Sequence, residues 1–234
     1  MKPINPLLFF VCVLALLALH SSCQPESRNT SSPLPSTDTS IGASPYLLEA
    51  AKLNFKHRRH SKLLDIRKKE AYEKGHLAGA IQVWRSDICR QGFEYSGLRS
   101  SKDSLSLFFK KIGIQLQDSI ILYDAKGNPD AARLWWLLHY YGYKNAFLLN
   151  KGLQAYEQKD WETGPSQRLQ KGDFEFENNN EESLLATKED VIDALTDSNY
   201  FLLDCRSQAE YEGNMLKKGA FRAGHIPGSA HINY

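Results

Sequence analysis

One motif occurs twice in this chain, and that constrains the fold more than any other feature. The first copy reads Leu63-Leu64-Asp65-Ile66-Arg67 and continues through Tyr72 to His76-Leu77-Ala78-Gly79. The second reads Leu202-Leu203-Asp204-Cys205-Arg206 and continues to Phe221-Arg222-Ala223-Gly224-His225-Ile226-Pro227-Gly228. An apolar run ending in Asp-x-Arg, followed by aromatic-x-x-x-His-apolar-x-Gly, is too long to recur by chance. It marks a duplicated folding unit. With 234 residues, 42% hydrophobic and 24% charged, the chain is ordinary globular material of a length that accommodates two modest domains.

Patterning around the first copy predicts a layered fold. Apolar runs at Leu63–Ile66, Ile120–Tyr123 and Ala146–Leu149 read as strands. Between them Lys68–Lys74, Asp103–Ile112 and Asp130–Tyr141 read as helices, the last stopped by Gly142. One more short helix is expected over Gly152–Lys159, with Trp161 closing the domain. Short strands alternating with helices imply an α/β fold, a parallel sheet with helices on both faces. In such sheets ligands gather beyond the carboxyl ends of the strands, where a loop meets a helix N-terminus. Here that loop is Asp124-Ala-Lys-Gly-Asn-Pro129. Trp135, Trp136, Tyr140 and Tyr141 are expected to serve the core and the domain contact. Cys89 lies in a polar stretch without a neighbouring base motif and is read as incidental.

Beyond Gly164-Pro165, residues 165–182 read as a polar interdomain linker in which Phe174-Glu-Phe176 could lie along the first domain as an extended strand. Thr187-Lys-Glu-Asp190 has the form of a capping box, opening a helix that turns Val191, Ile192 and Leu195 inward. A strand over Tyr200–Leu203 follows. Domain one is therefore placed at 46–164 and the second unit at 183–234.

The N-terminus is set apart from the fold. Lys2 precedes the uncharged apolar stretch Leu7–Leu19, shorter than the ~20 residues that span a bilayer and suited to a signal peptide over 1–22. Ser21-Ser22-Cys23 resembles the cleavage and lipidation site of a bacterial lipoprotein, although His20 replaces the usual Leu. Residues 23–45 are rich in Ser, Thr and Pro, with too little apolar surface to offset chain entropy, and read as a tether. An exported, periplasmic protein held at the membrane through a lipid on Cys23 is expected. A formal charge of only +2 argues against nucleic acid as a partner. Cys89 and Cys205 alone suit neither a disulfide framework nor a metal site.

The paired motifs resemble those of the rhodanese family of thiosulfate and 3-mercaptopyruvate sulfurtransferases, and two copies look like its tandem-domain branch. Ala78 replaces the usual Pro in the first copy, and Ser229 the usual Ala in the second. Tyr72 and His76 stand four residues apart, whereas Tyr211 and His225 stand fourteen apart, matching an insertion in second domains of the family. The resemblance implies that the residue after the central strand is the nucleophilic Cys in a catalytic domain, set in a ring of backbone N–H groups. Asp124 holds that place here, so domain one is expected to be non-catalytic. Cys205 matches Ile66 and is expected to be a small buried side chain. The catalytic Cys is expected beyond Tyr234, which makes the chain a C-terminally truncated piece of a longer protein. By the same resemblance Arg206, Lys217 and Lys218 are candidate substrate-binding residues, for an anionic sulfur donor whose sulfur passes to a thiol or cyanide. No cofactor is implied, and a monomer is expected. Glu210 precedes Tyr211 where mercaptopyruvate-binding relatives carry Arg, which favours thiosulfate or polysulfide. Two rivals stay open: a non-catalytic rhodanese-like binding lipoprotein, and arsenate-reductase or phosphatase chemistry on the same fold.

Overall fold

The computed structural model describes residues 44–49, 60–92, 97–125, 127–165, 170–177 and 180–233. The signal and most of the tether expected at the N-terminus, Cys23 included, lie outside the described residues. In chain order the first repeat comprises β1 (Leu47–Leu48), β2 (Ser61–Asp65), α1 (Lys69–Lys74), β3 (His76–Leu77), β4 (Ala80–Gln82), α2 (Lys102–Lys111), β5 (Ser119–Tyr123), α3 (Pro129–Tyr140), β6 (Ala146–Leu149) and β7 (Trp161–Glu162). Five strands form a parallel sheet in the order β1-β6-β5-β2-β4, in register Leu64 with Leu122 and Asp65 with Tyr123. β3 and β7 form a separate antiparallel ribbon. The expected Gly152–Lys159 helix is instead two 3-10 turns, Gly152–Ala155 and Gln158–Asp160.

Strand alternation divides the core into two layers. Leu64, Ile120, Leu122 and Ala146 meet Leu105 and Phe109 of α2 and Leu134, Leu137 and Leu138 of α3. On the opposite face Leu63, Ile121, Tyr123 and Leu149 meet Tyr72 of α1, Leu77 and Leu153. Each such side chain contributes roughly 1.5–3 kcal/mol by leaving water, and the period of two explains why the strands cannot slip register. α3 stops where the sequence says it should. Gly142 adopts φ 84°, its N–H reaches the His139 carbonyl at 3.0 Å and the Tyr143 N–H reaches that of Leu138 at 2.8 Å, a pattern that only a left-handed residue permits cheaply.

The polar stretch after Pro165 is tied to this core. Gly172 and Phe174 donate to the Lys110 and Ile114 carbonyls at 2.8 and 3.2 Å. Phe174 is buried and stands edge-on to Phe109, Tyr143 and Phe176. Further along, the Trp136 indole N–H donates to the Leu184 carbonyl at 3.2 Å and Glu181 N–H to that of Tyr140 at 2.7 Å. The aromatic ridge of α3 thus serves core and contact at once: Tyr140 and Tyr141 are buried, while Trp135 and Trp136 pack partly covered against the core.

The second repeat comprises α4 (Lys188–Ala194), β8 (Leu203–Asp204), α5 (Gln208–Tyr211) and β9 (Ala230–His231), with β8 and β9 parallel. The capping box forms: Thr187 Oγ1 accepts from Asp190 N–H at 3.1 Å and Asp190 Oδ2 accepts from Thr187 N–H at 2.7 Å. Three expectations fail here. Ile192 and Leu195 are 51% and 47% exposed rather than turned into a core. The Tyr200–Leu203 strand reduces to Leu203–Asp204, and Cys205 is exposed. The cause is common to all three. β2 is flanked by β4 and β5, which bury Ile66, whereas among the described residues β8 pairs with β9 alone.

Candidate functional site

The carboxyl end of β5 delivers Asp124 into a closed ring of hydrogen bonds. Its carboxylate, on a residue 5% exposed, accepts from Asn128 N–H at 3.0 Å on Oδ1, and from Asp130 and Ala131 N–H at 3.0 and 3.3 Å on Oδ2. The last two are orphan donors of the first turn of α3, so Asp124 caps a helix that begins five residues later. Asn128, the residue at the usual capping position, is left-handed at φ 61° and makes no side-chain cap. Its amide serves the loop instead, accepting from Asp124 N–H at 3.1 Å and donating to the Leu149 carbonyl at 2.6 Å. Gly152 closes the ring from the other side at φ 60°; a Cβ there would stand 2.6 Å from the Asp124 carbonyl oxygen and 2.9 Å from Asn128 Oδ1. Three converging N–H groups at a helix N-terminus form an anion cradle. In this domain the protein's own carboxylate occupies it.

The repeated motif builds the same local network twice. Arg67 Nε and Nη2 grip the Asp65 carboxylate at 2.8 and 2.6 Å, and Nη2 also donates to the Gly75 carbonyl at 2.7 Å. Arg206 Nε and Nη2 grip Asp204 at 3.0 and 2.6 Å, and Nη2 donates to the Gly224 carbonyl at 2.9 Å. His76 stacks on Tyr72 at 3.7 Å, and His225 on Tyr211 at 3.9 Å. Tyr72 and Tyr211 hydroxyls donate to the Ala80 and Ser229 carbonyls. Gln82 Nε2 and His231 Nε2 each approach the carbonyl of the repeat's arginine, at 2.9 and 2.8 Å. Tyr211 is therefore the structural counterpart of Tyr72, while Phe221, which preserves the sequence spacing, is fully exposed. The Arg206 hydrogen bonds hold the Asp204 carboxyl below the usual carboxylate range. Burial, then the charge of Asp65, pushes the Tyr123 phenol far above its ordinary value, so it remains a neutral hydroxyl whose oxygen accepts from the Leu77 N–H at 3.1 Å.

The other expected site residues are not brought together. Arg206 holds Asp204 and the loop before His225, as Arg67 does in the first copy. Lys217 lies 3.9 Å from Glu210, whose carboxyl is held low first by the Ser207 hydroxyl and then by this charge. Lys218 is exposed. Cys89 is partly buried, 3.9 Å from Arg133 Nη2. Among the described residues no cluster of three or more His, Cys, Asp or Glu side chains is placed to hold a metal ion, and no helix is long and apolar enough to cross a membrane. The reciprocal Asp124–Asn128 bonding went unseen in the sequence. The signal that could have revealed it is the Asn ahead of a helix-starting Pro, since Asn is among the few non-glycine residues that enter the left-handed region.

A parallel sheet whose central strand runs into an N–H cradle, flanked by a twice-used Asp-x-Arg and aromatic-His network, defines a rhodanese-type α/β protein. The chain belongs to the Rhodanese-like domain family, which matches residues 48–159 and 187–234. It is 29% identical over 174 residues to the sulfur carrier protein TtuD of Thermus thermophilus, covering 69% of this chain and 59% of that protein. Over 186 residues it is 22% identical to the mitochondrial thiosulfate/3-mercaptopyruvate sulfurtransferase 1 of Arabidopsis thaliana, covering 70% and 49%. The chain therefore spans less than two thirds of the length of these relatives. The crystal structure of the 3-mercaptopyruvate sulfotransferase SseA from Escherichia coli shares its fold, with a TM-score of 0.66 at 21% identity over 80% of this chain and 74% of that one.

Proposed function

We propose that this chain is part of a longer, exported sulfurtransferase whose first domain is structural and whose second carries the nucleophile beyond Tyr234. The observation that carries the reading is the filled cradle. Asp124 supplies a carboxylate where sulfur transfer needs a thiolate, and it saturates the N–H groups that would stabilise a persulfide. The absence of chemistry in domain one directs attention to the second copy, whose Asp204–Arg206 and Tyr211–His225 network already has the geometry of the first. In the whole protein a cysteine thiolate attacks the sulfane sulfur of thiosulfate. The S–S bond breaks, sulfite leaves with the electron pair, and a cysteine persulfide remains. Cyanide or a thiol then attacks the outer sulfur and the thiolate departs, restoring the enzyme. Backbone N–H groups stabilise the anionic persulfide, and Lys217 and Lys218 are the basic side chains available to gather an anionic donor. A lipid on Cys23 would hold this protein at the periplasmic face of a membrane, with residues 23–45 as the tether.

The test compares the 234-residue chain with the protein read through from the codon for Tyr234. The chain alone is expected to form no thiocyanate from thiosulfate and cyanide, and the longer protein to turn over through a cysteine outside residues 1–234. Turnover by the chain itself that is lost in Cys205→Ser would overturn the proposal. The anchor is tested separately: Cys23→Ala should release the protein from washed membranes, and retention would refute lipidation.

A further inference from the structure

The α1 face of the domain carries a cleft that shares no residue with the Asp124 loop. It has a volume of about 440 Å3, and His76, Ala80, Ile81, Trp161, Glu162 and Pro165 are among the residues lining it. His76 is 3% exposed, and its Nδ1 lies 2.9 Å from the Tyr72 carbonyl oxygen. A carbonyl only accepts, so Nδ1 carries the hydrogen, and in the neutral tautomer Nε2 presents a lone pair. That nitrogen stands 3.9 Å from Glu162 Oε2, which itself accepts from Gly79 N–H at 3.1 Å. Two acceptors face one another at a separation too wide for a hydrogen bond, and the gap opens on the cleft.

The second copy repeats the contacts that the histidine makes within its own motif. His225 stacks on Tyr211 and bonds its carbonyl at 2.8 Å just as His76 does with Tyr72. Among the described residues no carboxylate lies within ion-pair range of His225; Asp204 and Glu210 pair with Arg206 and Lys217. In the first copy a carboxylate, Glu162, stands beside the histidine as well. β7 supplies it by pairing Glu162 with His76 across the ribbon.

We propose that this cleft binds a primary ammonium group on a short apolar stem. The ammonium donates one N–H to Glu162 Oε2 and one to His76 Nε2, satisfying both acceptors, and the stem lies along Ala80, Ile81 and Pro165 beside the Trp161 indole. A carboxylate or sulfur oxyanion is excluded by the same two acceptors. The proposal is independent of the sulfurtransferase reading.

Titration of the isotope-labelled full chain with n-butylammonium chloride, followed by NMR, tests it. Saturable shifts of the Gly79 amide and Trp161 indole N–H signals are expected with a Kd of about 1 mM, ordinary for a fragment of this size. The His76 Nε2 resonance should move with them. Glu162→Gln should weaken binding about tenfold or more, and butyltrimethylammonium, which keeps the charge but has no N–H, should be weakened to about the same degree. Absence of shifts, equal binding of butyrate, equal binding of the quaternary cation, or unchanged affinity in Glu162→Gln would each overturn it.

Discussion

Replacing Asp124 with Ala tests whether the carboxylate is a structural plug. The substitution removes the acceptor of three N–H groups, two of which belong to the first turn of α3. Loss of a helix cap costs about 1 kcal/mol, and each buried donor left without its partner costs about 1–3 kcal/mol depending on how well water replaces it. Partial rehydration of the loop brings the expected loss to about 3 kcal/mol. Asp124→Asn can place its one oxygen on the Asp130 and Ala131 N–H groups but then sets an NH2 against the Asn128 N–H, so it should recover only part of the loss. Urea unfolding reads the difference as a lower midpoint at unchanged slope. Small anions provide an internal control: formate should restore stability to Asp124→Ala and leave the parent chain unaffected, because only the variant has an empty cradle. A loss below about 0.5 kcal/mol, typical of a surface change, would refute the reasoning, as would equal stabilisation of both proteins by formate.

Three further outcomes follow from the packing. Phe174→Ala should cost about 3–5 kcal/mol by emptying a fully buried aromatic site, and a calorimetric or urea series that finds it neutral would place residues 170–177 outside the cooperative unit. His139 is buried, with Nδ1 3.0 Å from the Trp135 carbonyl, and burial holds its pKa below its ordinary 6.5. The unfolded chain therefore binds the proton more readily, so this residue's contribution is complete above about pH 6.5 and is lost as pH falls below it; His139→Gln should flatten that acid limb of the stability profile. Limited proteolysis should cut within 183–233 before 60–165, since Tyr200, Phe201, Leu216 and Phe221 are exposed and, among the described residues, β8 is supported by a single strand; equal resistance of the two regions would count against this.

Much of the fold was legible because its signals are local. Gly142 ends α3 as read, β5 and β6 fall within a residue of their expected limits, and Thr187 opens α4 through its box. Asp124 was legible as a residue that cannot carry sulfur; its reciprocal bonding with Asn128 was not, because it depends on a left-handed Asn128 and on Gly152 arriving from the turn after β6. β1 and the β3–β7 ribbon are two residues long, too short to give a periodicity. The errors share one origin. Ile192, Leu195 and Cys205 sit at positions whose pattern is that of buried residues, yet burial is supplied by a neighbouring surface, and patterning records only the demand for one.

The insertion of Phe174 between Phe109 and Tyr143 has a consequence for how a duplicated protein can come apart. The family match to the first copy stops at residue 159, whereas the unit that folds extends at least to Phe176. The edge of inheritance and the edge of cooperativity differ by more than a dozen residues. A recombination event that respected the repeat would cut out a domain lacking one of its own core aromatics, and the stretch it left behind would carry an apolar strip with nowhere to go. Selection on the first domain's stability thus acts directly on the residues that lead into the second, so that two copies which began as independent modules are inherited as one.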